Sequence, residues 1–166
     1  MNWEYRLATR DDLAQIVGIY NATIASRQVT ADTEPVSVAS RQAWFAAHQQ
    51  ADRPLWVVEH AGQIIAWLSF SSFYGRPAYQ GTAEVSIYLA ESARGQGLGQ
   101  FLLQAAIEYS AGIGLHTLLG FIFGHNTPSI GLFEAHGFAV WGHLPGVAEL
   151  DGIARDLLIM GLKIKS

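Results

Sequence analysis

The residues best suited to chemistry lie between Glu84 and Gln100. In Glu84-Val85-Ser86-Ile87-Tyr88-Leu89 polar and apolar residues alternate. In an extended strand Glu84, Ser86 and Tyr88 therefore share one face, and Val85, Ile87 and Leu89 the other. Arg94-Gly95-Gln96-Gly97-Leu98-Gly99-Gln100 follows, and from Leu98 onward Phe101, Leu102, Ala105 and Tyr109 recur at helical spacing. A glycine turn thus ends where a helix begins. The first helical N–H groups have no intrahelical partner, the macrodipole is positive there, and glycines accept positive φ and admit a phosphate close to the backbone. The turn is a candidate anion site with Arg94 at its edge. Glu84, at the head of the strand, is a candidate proton acceptor and equally a carboxylate on a polar face turned to water.

The spacing narrows the anion. A dinucleotide fingerprint needs Gly-x-Gly-x-x-Gly, but Gln100 follows Gly99 and no acidic residue stands at the expected distance beyond. A P-loop needs Gly-Lys-Ser/Thr, which is absent. Arg94-x-x-Gly97-x-Gly99 resembles the acetyl-coenzyme A signature of the GNAT superfamily of N-acetyltransferases. Asn126-x-x-Ser129-x-x-Leu132-Phe133-x-x-x-Gly137-Phe138 is similar to the superfamily's downstream cofactor segment. Thr33-Glu34-Pro35, Arg76-Pro77-Ala78-Tyr79, Thr82-Ala83-Glu84 and Gly114-Leu115-His116 extend the likeness to the branch of phosphinothricin and methionine sulfoximine/sulfone acetyltransferases.

That resemblance implies acetyl-coenzyme A as co-substrate, a small-molecule amine as acceptor and a homodimer. It implies cofactor contacts from Ile87, Tyr88, Leu89, Arg94, Gly95, Gln96, Gly97, Leu98, Gly99, Gln100, Asn126 and Phe133, those of Ile87 and Leu89 through main chain exposed where two strands splay. The acceptor is expected at Arg76, Pro77, Ala78, Tyr79, Glu84, Val85 and Ser86. Glu84 would serve as the base, and Arg76 could clamp an oxyanion through two parallel hydrogen bonds. On the residues alone Arg76 is a solvated loop arginine. Two departures from the branch stand out: Phe133 replaces a His or Tyr proposed to move protons, and Glu149 to Ala154 replaces a basic and aromatic pocket wall. An acetyl-coenzyme A sensor, or a transferase for a polyamine, an antibiotic or a protein N-terminus, are the competing readings.

The elements that must position these groups follow from the rest of the chain. With 166 residues, half of them hydrophobic and 14% charged, the sequence supports one domain over 1–166 with a real core. The expected elements are a strand at Tyr5–Ala8; a helix through Leu13, Ile16, Val17, Tyr20 and Ile24 after a Thr9 cap; a loop from Ser26 to Pro35; and a helix over Val38–His48. Strands at Leu55–Glu59, Ile64–Phe73 and Gly81–Leu89 precede the glycine turn. After the central helix come a strand at Thr117–Phe123, a helix over Asn126–His136 capped by Asn126 or Thr127, and strands at Val140–Leu144 and Leu157–Leu162. The fold class is α+β, a mixed, mostly antiparallel sheet of GNAT type with helices on both faces.

Zero cysteines exclude disulfides and a cysteine nucleophile, and the six histidines show no ligand spacing, so no metal is expected. A net charge of −4 without Lys/Arg clusters speaks against nucleic acid or an anionic membrane as partner. No long apolar run or signal-peptide pattern appears, and the reading is cytoplasmic.

Overall fold

Two apolar faces on one sheet decide the architecture. In the strand Leu55–His60, Leu55 and Val57 pack with Leu13, Ile16, Val17 and Phe45, whereas Trp56 and Val58 pack with Leu98, Leu102, Leu103 and Ala106. The period-2 alternation of a strand sends successive side chains to opposite sides, so each side needs its own helical cover. The computed structural model describes residues 2–165.

Seven strands are present among them: β1 (Tyr5–Leu7), β2 (Leu55–His60), β3 (Gln63–Ser72), β4 (Thr82–Leu89), β5 (Thr117–Phe123), β6 (Ala139–Leu150) and β7 (Ile153–Lys163). They form one sheet in the order β1-β2-β3-β4-β5-β7-β6. Every neighbouring pair is antiparallel except β4 and β5. Helices α1 (Leu13–Ile24) and α2 (Gln42–Ala47) cover one face, and α3 (Leu98–Ser110) and α4 (Thr127–Ala135) the other.

The parallel pair positions the site. β4 and β5 are in register only from Thr82↔Thr117 to Glu84↔Leu119. Beyond Glu84, β4 stays bonded to β3 as far as Leu89↔Ala66, while β5 stays bonded to β7 as far as Phe123↔Leu157. The sheet therefore opens into a wedge between residues 85–89 and 120–123.

Two expectations change. The helix foreseen over Val38–His48 is a single 3-10 turn, Ala39–Arg41, followed by α2. Ser37 and Ser40 bond each other's backbone, with Ser40 N–H donating to Ser37 Oγ at 3.1 Å and Ser40 Oγ to the Ser37 carbonyl at 2.7 Å, which competes with a regular helical ladder. The last two strands are about twice as long as foreseen and join in a hairpin at Asp151-Gly152, whose φ values of +54° and +79° are those of a type I′ turn. Register shifts between Val140 and Gly142 and between Leu144 and Ala148 hide the alternation of β6. Asp156 bridges the second irregularity by accepting from Gly146 N–H at 2.8 Å and lying 2.7 Å from His143 Nε2.

Candidate active site

The glycine turn is shaped as its composition demands. Gly95 and Gly97 sit at φ +74° and +82°, a region costly for residues with a Cβ, and a Cβ built on either meets nothing within 4 Å. Gly97 is the N-cap of α3, and its carbonyl accepts from Phe101 N–H at 3.0 Å. Among the described residues, the N–H groups of 95–100 donate to no protein acceptor. Open backbone at the positive end of a thirteen-residue helix, with the exposed Arg94 in no ion pair among those residues, makes a concave anion receptor.

That receptor opens into the wedge, a cleft of about 370 Å³. Its walls are Glu84 through Leu89 on β4, Phe121 and Ile122 on β5, Arg94, Gly95 and Gly99 at the turn, and Asn126, Pro128, Ser129, Leu132 and Phe133 around α4. Thr23, Gln28 and Val29 complete the rim. Asn126 caps α4 by accepting from Ser129 N–H at 3.3 Å and is 7% exposed. Phe133, 5% exposed, packs edge-on against Phe138 at 4.8 Å and covers Gly120, where any Cβ would collide with its ring. Phe133 is a packing residue here, and its side chain has no group that could move a proton. Of the other turn residues, Leu98 is buried, Gln96 is exposed and donates from Nε2 to the Ser92 carbonyl at 3.0 Å, and Gln100 is exposed.

On the opposite face of the sheet, under α1 and α2, lies a second cavity of about 170 Å³. Trp67, Ser69 and Ser71 of β3 and Ser86 and Tyr88 of β4 form its floor, and Ile16, Val17, Tyr20, Val36, Arg41 and Trp44 close it. Ser86 and Tyr88 belong to both cavities, so β4 is their common wall. Trp67 stacks on Tyr88 at 4.5 Å, and Trp67 Nε1 donates to the Ile16 carbonyl at 3.1 Å. Arg41 lies 4.9 Å over the Tyr20 ring and 3.2 Å from the Asp32 carboxylate. The Tyr20 hydroxyl donates to Asp32. Burial, with Tyr20 and Glu84 nearby, pushes the Tyr88 phenol far above its ordinary value, so it stays protonated.

Glu84 stands at the last paired position of β4 and β5, on the face it shares with Ser86 and Tyr88. Burial raises its pKa above the usual glutamate range, opposed by the Ser86 hydroxyl, which donates to its Oε2 at 3.4 Å. No cation pairs with Glu84 among the described residues. Glu84 is thus a half-buried carboxylate on the wall of the cleft, bonded to a serine that also lines the second cavity, and burial without a counter-charge is one way a carboxyl is tuned for proton transfer.

The structure thus gathers Glu84 through Leu89, Arg94, Gly95, Gly99, Asn126 and Phe133 around one cleft, while Gln96, Gly97, Leu98 and Gln100 belong to the same turn but do not line it. Arg76, Pro77, Ala78 and Tyr79 lie in the exposed connection from β3 to β4 and line neither of these two cavities. Glu149 to Ala154 form the hairpin tip, where Asp151 pairs with Arg27 at 3.0 Å. Tyr20, Arg41, Trp44, Trp67 and Ser71 were not foreseen at the site, because the tertiary packing of α1 and α2 on β3 brings them there.

A sequence model of the acetyltransferase (GNAT) family matches residues 16–138. The chain belongs to this family. A Bacillus subtilis (strain 168) protein provisionally named phosphinothricin acetyltransferase is 55% identical over 160 residues, 96% of this chain and 98% of that protein. The L-methionine sulfoximine/L-methionine sulfone acetyltransferase of Pseudomonas paraeruginosa is 36% identical over 92% of this chain and 90% of its own length. The crystal structure of a GNAT phosphinothricin acetyltransferase from Sinorhizobium meliloti in complex with acetyl-coenzyme A superposes with a TM-score of 0.93, at 28% identity, over 99% of this chain and 89% of that one. The chain is therefore a GNAT enzyme, an N-acetyltransferase, and the wedge, the open amides and Arg94 suit acetyl-coenzyme A.

Proposed function

We propose that this GNAT enzyme acetylates the α-amino group of a small amino-acid analogue of the phosphinothricin or methionine sulfoximine/sulfone kind by direct transfer, with Glu84 as base. The observation that carries the reading is Glu84 itself, a half-buried carboxylate with no cationic partner among the described residues, at the point where the sheet parts, lining the cleft and bonded to Ser86, which also lines the second cavity.

Acetyl-coenzyme A supplies an activated thioester. The 94–100 backbone and Arg94 hold its phosphates, and residues 85–89 line the channel for its arm. An amino acid reaches the site mostly as an ammonium, which has no lone pair to offer. Glu84 takes one proton from it, leaving a neutral amine, and the raised affinity of Glu84 for that proton brings its pKa closer to the working pH. With no cysteine in the chain, no protein thioester can carry the acetyl group. The acceptor enters the second cavity, whose walls include Tyr20, Trp44, Trp67 and Tyr88. Arg76, exposed and in no ion pair among the described residues, stands on the connection that leads into β4 and serves as the clamp for the acceptor's oxyanion. Arg41 is less free for that task, since Asp32 already holds it.

The test is thiol release from acetyl-coenzyme A with phosphinothricin, L-methionine sulfone, spermidine and a simple alkylamine. Turnover with the first two, well above the others, is expected. Turnover confined to spermidine overturns the substrate class, and tight acetyl-coenzyme A binding without release from any amine overturns the enzymatic reading.

A further inference from the structure

The proposed proton transfer does not use His48, a buried titratable group beside the second cavity. His48, at the C-cap of α2, is 6% exposed. Its Nδ1 lies 2.7 Å from the Trp44 carbonyl and its Nε2 3.1 Å from Ser71 Oγ. Burial, opposed by the carbonyls of Trp44 and Phe70, lowers its pKa, so the ring is neutral at pH 7 and carries one proton. Of these two carbonyls only that of Trp44 meets the ring with hydrogen-bond geometry, at Nδ1, and a carbonyl can only accept, so the proton is on Nδ1. Nε2 is then a bare acceptor, and the Ser71 hydroxyl must donate to it.

This fixes what Ser71 can offer the cavity it lines. A hydroxyl has one proton and two lone pairs; the proton is committed to His48, and the lone pairs remain. Ser71 is also the direct cross-strand partner of Glu84, with both side chains on the same face of the antiparallel β3–β4 pair. Ser86, the next residue on that face of β4, donates its own proton to Glu84. The result is a patch of oxygen acceptors whose hydroxyl protons are directed away from the ligand.

We propose that Ser71, held as a donor by His48, is a second anchor for the acceptor's amino group and makes this site selective for primary amines. A primary ammonium carries three N–H bonds. One goes to Glu84, which removes its proton, and a second goes to Ser71. The nitrogen is then held at two points, and its emerging lone pair has a fixed direction. A tertiary ammonium has a single N–H and can satisfy only one of the two acceptors. His48 acts as a positioning residue, through Ser71 alone.

The inference rests on the proposed N-acetyltransferase reading, and the test separates the two by using binding without chemistry. Calorimetry with coenzyme A present measures the affinity of the full chain for L-methionine sulfone and for its N,N-dimethyl derivative, in wild type, Ser71→Ala, His48→Leu, His48→Gln and the Ser71→Ala/His48→Leu double variant, each shown to be folded by thermal unfolding. Ser71→Ala is expected to weaken the primary amine about tenfold and the dimethyl derivative less than about twofold. His48→Leu should match Ser71→Ala, and the double variant should be no worse than Ser71→Ala alone, because the two side chains act as one unit. His48→Gln, whose amide oxygen can accept from Ser71, should restore most of the loss. Equal losses for both ligands, no loss in Ser71→Ala, or additive losses in the double variant overturn the proposal. Failure of the functional reading looks different: the primary-amine contrast is intact, yet no thiol is released from acetyl-coenzyme A. No binding of L-methionine sulfone to the wild type overturns both.

Discussion

Gly120→Ala would press on a tightly packed wall of the cofactor cleft. An added Cβ would lie 2.5 Å from Phe133 Cε2, 3.0 Å from Cδ2 and 3.2 Å from Cζ. Carbon atoms rest at about 3.5 to 4.0 Å, so the ring must retreat by roughly 1 Å. Phe138 stands edge-on against it, with centroids 4.8 Å apart, and Phe133 is nearly fully buried. Overpacking of this size costs about 1 to 3 kcal/mol. For a domain of this length each kcal/mol lowers Tm by about 2 to 4 °C, so a fall of roughly 2 to 12 °C is expected. Because the same ring lines the cleft, acetyl-coenzyme A affinity should fall several-fold as well. Thermal unfolding with and without acetyl-coenzyme A, on Gly120→Ala, Phe133→Leu and the double variant, tests the reasoning. Leucine removes the atoms that collide, so the double variant should lose clearly less than the sum of the single losses. An unchanged Tm and affinity in Gly120→Ala, or strictly additive losses, would refute the account of α4 seated on β5 through this contact.

Gly97→Val forces a β-branched residue into φ +82° and points its side chain into the open space of the anion receptor, so acetyl-coenzyme A binding by calorimetry should weaken at least tenfold, about 1.4 kcal/mol. Arg76→Ala should raise KM for an oxyanion-bearing amino-acid analogue more than it lowers kcat, and should leave a simple alkylamine unaffected; equal effects on both would mark Arg76 as structural. The raised pKa of Glu84 also has a sign in stability. Its contribution is fully present below the unfolded-state pKa and is lost as pH rises through the higher folded-state value. Glu84→Gln should therefore gain Tm over wild type at pH 8 and lose that gain in acid, read from unfolding curves across the pH range.

Much of the donor side was legible because its chemistry is local. Arg94 to Gln100 combine a cation, glycines able to hold positive φ and a helix start within seven residues, and Glu84 to Leu89 lead straight into them. Asn126 announced itself as a helix cap ahead of Pro128, and it is one. The acceptor side was less legible because it is assembled from distant parts. His48 and Ser71 are 23 residues apart, and Arg41 enters from the turn before α2; no spacing in the chain relates either to Glu84. Arg76 was visible through family likeness alone, and likeness to a loop does not say which cavity the loop faces. The β6–β7 hairpin carried a readable Asp151-Gly152 signal. Pro145, Gly142 and Gly146 break the strand alternation on one side of it, so the full length of β6 is not legible in the sequence.

The central claim is that Glu84 removes the proton that keeps the acceptor from reacting. The most direct measurement is the pH profile of kcat/KM for L-methionine sulfone with saturating acetyl-coenzyme A, in wild type and Glu84→Gln, alongside the acetyl-coenzyme A Kd of each. The account predicts a wild-type acid limb above the ordinary glutamate range, since burial raises this carboxyl. In Glu84→Gln it predicts a loss on the order of 10² to 10⁴ at neutral pH, partly recovered as alkali frees the amine, with Kd little changed. Full activity of Glu84→Gln at neutral pH, with the wild-type profile retained, would contradict it.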